Sequence, residues 1–310
     1  MAACRPVTVL VLGSTGQLAR HLRERWPEAA FWGHDRLDLS HPERIRERVL
    51  SLRPRAIVNA AAYTAVDRAE TESDLAWRLN AEAPAALARA AQTLEIPLVH
   101  VSTDYVFDGR ADRPYVETDP VAPLNVYGRG KLGGELAVAT LCTRHWILRT
   151  SWVFSEHGSN FVRTMLRLAR ERDTLRVVND QFGRPTYAGD LARLIDRIVS
   201  APESSRPLPW GLHHATGGPE LTWHAFASTI VERAQARGLI ARRPEVIGVS
   251  TQDYAAALAT PGATRPSRAT LQPSRYLETL PGAFDWDAGL DAVLARTASP
   301  TPTGVGLPVA

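Results

Sequence analysis

Apolar residues recur along this chain in two alternating rhythms. Val7–Leu12 is a continuous apolar run, rich in β-branched side chains and closed by Gly13, the pattern of a strand buried on both faces. Gly16–Trp26 follows as a helix that stops at Pro27. Ala30–Gly33 reads as a short second strand. Ser40-His41-Pro42-Glu43 has the form of a capping box and opens a helix to about Leu52. Ala56–Asn59 is a third strand, and helical stretches over Asp67–Leu79 and Ala81–Leu94 follow it. Leu98–Ser102 reads as a fourth strand, Tyr127–Ala139 as a helix, and His145–Arg149 as a fifth strand. Strands alternating with helices imply right-handed crossovers and a parallel sheet covered on both faces. The fold class is therefore α/β, a doubly wound, Rossmann-like parallel sheet.

From about residue 151 the rhythm is less regular. Phe161–Arg172, Leu191–Ser200 and Trp223–Gly238 read as helices, Pro202–Pro209 as a loop, and Leu212–Ala215 as a strand returning to the sheet. This divides the chain into a dinucleotide-binding domain over 1–150 and a smaller, mainly substrate-binding domain over 151–296, with 211–216 given back to the first. Thr297–Ala310 lacks periodicity and reads as a mobile tail. His213 and His214 straddle a strand, one side chain inward and one outward.

Composition narrows the chemistry. With 310 residues and 45% hydrophobic content, the chain can bury a large core. Two cysteines, Cys4 and Cys142, build neither a disulfide framework nor a four-cysteine zinc site. No apolar run approaches the roughly 18 residues of a membrane span. The 36 basic and 33 acidic side chains interleave, as in Glu43-Arg44-Ile45-Arg46-Glu47-Arg48, which reads as a solvated helix face rather than a nucleic-acid surface. The nine histidines show no metal-ligand spacing. These features describe a cytoplasmic protein with neither a membrane nor a nucleic acid as partner.

Three motifs carry candidate chemistry. Gly13-Ser14-Thr15-Gly16-Gln17-Leu18-Ala19 lies between the first strand and first helix, where glycines permit a tight turn and close approach of a pyrophosphate, and a small Ala19 lets helix pack on strand. Asp38-Leu39 follows the second strand at the position of an adenine, and Asp35-Arg36 sits nearer the ribose. An acid there favours a free 2′-hydroxyl and an arginine a 2′-phosphate, so NAD and NADP both remain open. Tyr127-Gly128-Arg129-Gly130-Lys131 puts a phenol and the chain's single lysine four apart on one helix face. A nearby ammonium is expected to pull the phenol's pKa down toward neutrality. Gly128 and Gly130 each cost a helix about 1 kcal/mol, so its surroundings must hold it. Ser102-Thr103-Asp104-Tyr105-Val106-Phe107 leaves the carboxyl end of the fourth strand, where Thr103 is placed either to bond a substrate carbonyl or to cap the next turn.

A glycine-rich first turn with Tyr-x-x-x-Lys downstream resembles the extended short-chain dehydrogenase/reductase superfamily. Asn59–Asp67, Ser102–Gly109, Pro123–Gly128, Arg149–Phe154 and Asp180–Thr186 are similar, segment by segment, to the dTDP-4-dehydrorhamnose reductase family over roughly residues 7–290. The resemblance implies a catalytic set of Thr103, Tyr127 and Lys131. It implies that Gly16, Gln17 and Leu18, next to Gly13, hold a cofactor diphosphate, with Asp38 and Leu39 at its adenine. Ala61, Ala62, Tyr63 and Thr64, with Tyr127 and Lys131, would line its nicotinamide end. Asp104, Tyr105, Trp152 and Thr103 would contact a dTDP-deoxysugar. The implied cofactor is NADPH, with NADH also accommodated. The implied reaction is reduction of the C4 ketone of dTDP-4-dehydro-L-rhamnose to dTDP-L-rhamnose. Trp152 is expected to offer a flat apolar face to the 6-deoxysugar.

The chain departs from that pattern in places. Gly130 stands where Ser or Thr is usual, and Arg265-Pro266-Ser267-Arg268 lacks the Asn-Ser that commonly follows Arg-Pro. Some relatives bridge a homodimer through Mg²⁺. The matching positions are His21 and Gly189, so no such metal is expected, and a homodimer is left open. Two alternatives stand beside the reductase. One is a sister 4-ketoreductase for another dTDP-6-deoxysugar, and the other is a regulatory subunit that binds nucleotide without turnover.

Overall fold

The four residues of β1 (Val9–Leu12) are all buried, and alternate ones meet different helices. Val9 and Val11 pack with Leu18 and Leu22 of α1 (Gln17–Arg25). Leu10 and Leu12 lie on the other face with Ile45 and Val49 of α2 (Pro42–Leu52). A strand roofed on both sides has no place for a polar side chain, which is why the run is unbroken. The computed structural model describes residues 8–205, 207–257, 262–278, 280, 282 and 284–298. Val7, Cys4 and residues 299–310 of the expected tail lie outside them.

β2 (Ala30–Trp32), β3 (Ala56–Asn59), β4 (Leu98–Thr103) and β5 (His145–Thr150) extend the sheet in parallel. Between β3 and β4 run α3 (Val66–Ala69), α4 (Ser73–Trp77) and α5 (Ala83–Leu94), and α6 (Val126–Leu141) joins β4 to β5. Then follow β6 (Val153–Phe154), α7 (Phe161–Glu171), β7 (Thr174–Val178), β8 (Phe182–Gly183), β9 (Thr186–Tyr187), α8 (Ala188–Ser200) and β10 (Gly211–His214). β11 (Leu221–Thr222), α9 (Trp223–Ala236), β12 (Glu245–Val249), α10 (Thr251–Ala256), α11 (Arg275–Glu278) and α12 (Trp286–Ala298) complete the order. The main sheet runs β10-β5-β4-β3-β1-β2, all parallel, so the late strand does return to it. A separate core forms around α7, α9 and α12, with Phe154, Met165, Phe226, Ile230 and Leu290 at its centre. Among the described residues no helix is long and apolar enough to cross a membrane.

Several expectations are corrected. Ser40 does not cap α2: its backbone N–H and its hydroxyl both donate to Asp38 Oδ1, at 2.9 and 2.7 Å, and His41 stands at the helix start without a side-chain bond. A nearer carboxylate outcompetes the helix amides for Ser40. No break separates the helices near Asn80, because the chain continues through a π-helical turn at Arg78–Glu82. His213 and His214 are both buried, since the outer edge of β10 is covered by the segment at Ser274, whose N–H bonds the His214 carbonyl. Thr297 and Ala298 belong to α12 rather than to a tail.

Candidate active site

The site is built where β1, β3 and β4 end. Gly13 sits at φ +91°, and a Cβ there would meet the Ala60 carbonyl and the Ala61 backbone at 3.0 Å. Only glycine allows the first turn and the loop after β3 to lie backbone against backbone. Leu18 and Ala19 are buried in the core, so what they offer a ligand is backbone at the start of α1. Gln17 reaches the other half of the molecule, accepting from Asn160 Nδ2 at 2.9 Å. Nothing in the sequence marks Asn160. Leu39 is buried with Leu10 and Leu12. Asp38 takes ion-pair contacts from His34 and His41 besides its Ser40 bonds.

The loop Ala61–Thr64 is held by two asparagines that sequence reasoning missed. Asn59 Oδ1 accepts the Ala61 N–H at 3.3 Å while its Nδ2 bonds His100 Nδ1 at 3.1 Å. Asn80 clamps Tyr63 through both backbone groups, at 2.9 and 3.0 Å, and the Tyr63 hydroxyl donates to Glu72 at 2.6 Å. The only sequence signal for Asn80 is a buried amide in an apolar helical stretch, and that has no motif.

Tyr127 stands in the first turn of α6, where the Asn125 side chain caps the helix by accepting the Gly128 N–H at 2.8 Å. The glycines of α6 are there for contact. A Cβ on Gly128 would strike the Tyr105 carbonyl oxygen, one on Gly134 the Asn80 carbonyl, and one on Gly130 would lie 3.1 Å from Asn80 Cβ. The helix is held by close packing on α4 and the π turn, as its poor propensity requires. Gly128→Ala should push the helix away from the turn at Tyr105 and lower the expected turnover several-fold while affinity for the expected dinucleotide changes little. Stopped-flow turnover with parallel cofactor titration checks this, and an unchanged kcat would show that the close approach is unimportant.

Burial pushes the Tyr127 phenol up to about 12, Thr103 pulls against it, and Asp104 adds to the rise. The net direction is upward, so the expected lowering toward neutrality is corrected. The Lys131 ammonium, almost fully buried, donates to the Val101 carbonyl at 2.6 Å. Burial pulls Lys131 down to about 8, and the carboxylate of Glu135, one turn along α6, opposes the fall. Arg149 grips Glu135 through three contacts of 2.9, 3.2 and 2.7 Å, and both are buried. This pair is not visible in the sequence either, because its members are 14 residues apart on a helix and a strand.

Thr103 caps the next turn, the second of its two readings. Its Oγ1 accepts the Tyr105 N–H at 3.2 Å, capping a short 3₁₀ turn over Asp104–Val106, and donates to Asp104 Oδ1 at 2.9 Å. Burial pushes the Asp104 carboxyl up to about 7, against the lowering effect of that hydrogen bond. Tyr105 and Tyr127 meet edge to face with centroids 5.6 Å apart. Arg265 pairs with Asp67 at 2.8 Å and neighbours Tyr105, so the segment that departs from the family pattern lies beside the site.

Trp152 adopts φ +45°, stacks on Trp223 with centroids 3.5 Å apart, and lies so close to Gly183 that a Cβ there would collide with the indole. One face of the indole is thus occupied by packing. Trp152→Ala should lower stability by about 2–4 kcal/mol, toward the lower end of aromatic truncations because the ring is only partly buried. A shift of the urea midpoint measures this, and stability within about 0.5 kcal/mol of wild type would show that the stack contributes little.

The fold also assembles a group that spacing concealed. His21, Glu24 and His157 bring ligand atoms within 4.8 Å of one another, the two imidazole centroids being 5.1 Å apart. His21 approaches Glu156 at 3.4 Å, and Arg296 reaches the same carboxylate at 3.3 Å. At Gly189 the Tyr187 ring occupies the space a side chain would take.

Comparison with known proteins gives a consistent result. A family model described as the RmlD substrate binding domain matches residues 7–299. A dTDP-4-dehydrorhamnose reductase of Salmonella typhimurium is 40% identical over 297 residues, covering 94% of this chain and 98% of the relative. A probable dTDP-4,6-dihydroxy-2-methyloxan-3-one 4-ketoreductase of Streptomyces antibioticus is 43% identical over 226 residues, covering 71% and 75% of the two chains. Among solved structures, a dTDP-4-dehydrorhamnose reductase from Bacillus anthracis in complex with NADP superposes with a TM-score of 0.82 at 33% identity, covering 93% of this chain and 99% of that one.

Proposed function

The chain belongs to the RmlD substrate binding domain family, and from that premise we propose that it reduces the C4 ketone of dTDP-4-dehydro-L-rhamnose, with NADPH as reductant, to dTDP-L-rhamnose. One observation carries the reading: the Thr103 hydroxyl and the Tyr127 phenol are neighbours, a buried ammonium lies one turn along α6 from that phenol, and the first strand of the same sheet ends in a glycine turn that admits a backbone-close ligand. The turn fits a dinucleotide, because its Cβ space is closed to side chains and the start of α1 presents amides. Gly13, Gly16, Gln17 and Leu18 would hold the diphosphate, Asp38 and Leu39 the adenosine end, and Ala61–Thr64 the nicotinamide end. When bound, NADPH supplies the hydride.

The protein's own part is positioning and one proton. Tyr127, protonated throughout the working pH range, gives its phenolic proton to the oxygen that gains charge as the ketone is reduced. Thr103 bonds the same oxygen. Lys131 gives one of its three donors to Val101, and the other two serve the phenol and the nicotinamide ribose. Asp104, Tyr105 and Trp152 contact the sugar nucleotide. The part of the chain from about 151 onward holds most of the substrate, and the reaction belongs to the cytoplasm.

A second reading rests on the segment Arg265–Arg268, which lies against the site and departs from the usual Asn-Ser pattern: reduction of a sister dTDP-6-deoxysugar ketone. Incubating the protein with dTDP-4-dehydro-L-rhamnose and NADPH, then assigning the product's C4 configuration by NMR, separates the two. The rhamnose epimer supports the first reading and another epimer selects the second. An absence of NADPH oxidation overturns both.

A further inference from the structure

Hydrogen-bond valence limits what Thr103 can do. A threonine oxygen has one proton to give and two lone pairs to fill. One lone pair takes the Tyr105 N–H at 3.2 Å. The proton goes to Asp104 Oδ1 at 2.9 Å, which leaves one lone pair, with the Tyr127 phenol as a neighbour. Arranged so, Thr103 has nothing to donate to a substrate.

We propose that Asp104 is a positioning residue that works as the neutral acid: its carboxyl O–H donates to Thr103 Oγ1 and so turns the Thr103 proton toward the oxygen being reduced, beside the proton of Tyr127. With Asp104 protonated, both Thr103 lone pairs are filled, by Tyr105 N–H and by the acid. Thr103 must then give its proton elsewhere, and the reduced oxygen beside Tyr127 is the acceptor within its reach. Both donors converge on the substrate oxygen. When Asp104 ionises, the Thr103 proton swings back and the pair closes on itself.

The surroundings suit an acid that titrates near neutrality. Asp104 is 4% exposed. From its own turn it faces Tyr105, from α6 it faces Tyr127, and Arg265 lies beyond Tyr105 without pairing with it. Among the described residues no cation pairs with it, and burial pushes the carboxyl up to about 7. This inference rests on the ketoreductase reading above, since it concerns the oxygen of that reaction.

Asp104→Asn supplies the test, because an amide N–H can donate to Thr103 at every pH and is nearly isosteric. Wild-type kcat should fall about tenfold per pH unit above about 7 as Asp104 ionises, with Lys131 adding a second decline near 8. Asp104→Asn should lose the first decline and keep the second. Thr103→Val, which removes the hydroxyl that reads Asp104, should lose it too. Infrared difference spectra of wild type minus Asp104→Asn at pH 6 should contain a protonated-carboxyl stretch that vanishes by pH 8.5. A decline near 7 that persists in both variants overturns the proposal. So does an Asp104→Asn enzyme with raised KM and an unaltered pH profile, which would make Asp104 a simple acceptor for a sugar hydroxyl. A wild type that binds NADPH without oxidising it on the keto sugar sinks the proposed reaction instead, and the infrared band still decides the protonation of Asp104.

Discussion

Tyr127→Phe is expected to lower kcat by about 10²–10⁴, the range that one positioned acid–base group contributes, while the protein folds and binds NADPH as before. The substitution removes one oxygen and little volume. The ring keeps its edge-to-face contact with Tyr105, and the helix start keeps its Asn125 cap and its close approach at Gly128. What disappears is the proton that the reduced oxygen needs. Steady-state turnover on the keto sugar, with NADPH affinity measured by fluorescence, reads the two quantities separately. Turnover within about threefold of wild type would place the proton donor on another residue and end the assignment of Thr103, Tyr127 and Lys131 as one set.

Lys131→Arg is expected to cost at least about tenfold in kcat and about 1–3 kcal/mol of stability. The chain uses arginine at every other basic position, so a site needing only positive charge would carry arginine here as well. The ammonium is buried to 2% exposure and donates to the Val101 carbonyl at 2.6 Å, with His100 on β4 and Glu135 on α6 beside it. A planar guanidinium is larger, and its fixed fork cannot meet a strand carbonyl, a phenol and a ribose from that volume. The pH profile should change as well. Lys131 loses its proton near 8, so wild-type activity carried by the ammonium falls as pH rises through that value. A guanidinium stays charged, and the decline near 8 should vanish from whatever rate remains. A Lys131→Arg enzyme with wild-type rate, stability and pH profile would reduce residue 131 to a charge.

The glycine turn, the alternation of strands and helices, and the Tyr127–Lys131 spacing were legible because each is a local pattern. Period and turn chemistry are written within a few residues of one another, and the bounds of the six main-sheet strands fall within two positions of expectation, whereas the short strands after residue 151 were not expected. Boundaries failed where two local partners competed. Ser40 has the spacing of a helix cap and binds Asp38, two residues away. Near Asn80 the pattern predicts a helix end and a π turn runs on, because Asn80 must face both Tyr63 and the glycines of α6.

What the sequence determined by itself is the sheet, the glycine turn after its first strand and the Tyr127–Lys131 spacing, since hydrophobic period and motif spacing need no knowledge of the rest of the chain. What only the tertiary structure decided is the state of those residues. Burial raises the Tyr127 phenol where the spacing predicts that a lysine lowers it, and the Glu135–Arg149 pair sets the charge around Lys131. Trp152 commits a face to Trp223, and His21 meets His157 across 136 positions of chain. Proton affinity depends on desolvation and on which charges lie within a few ångströms, and neither is a function of distance along the chain.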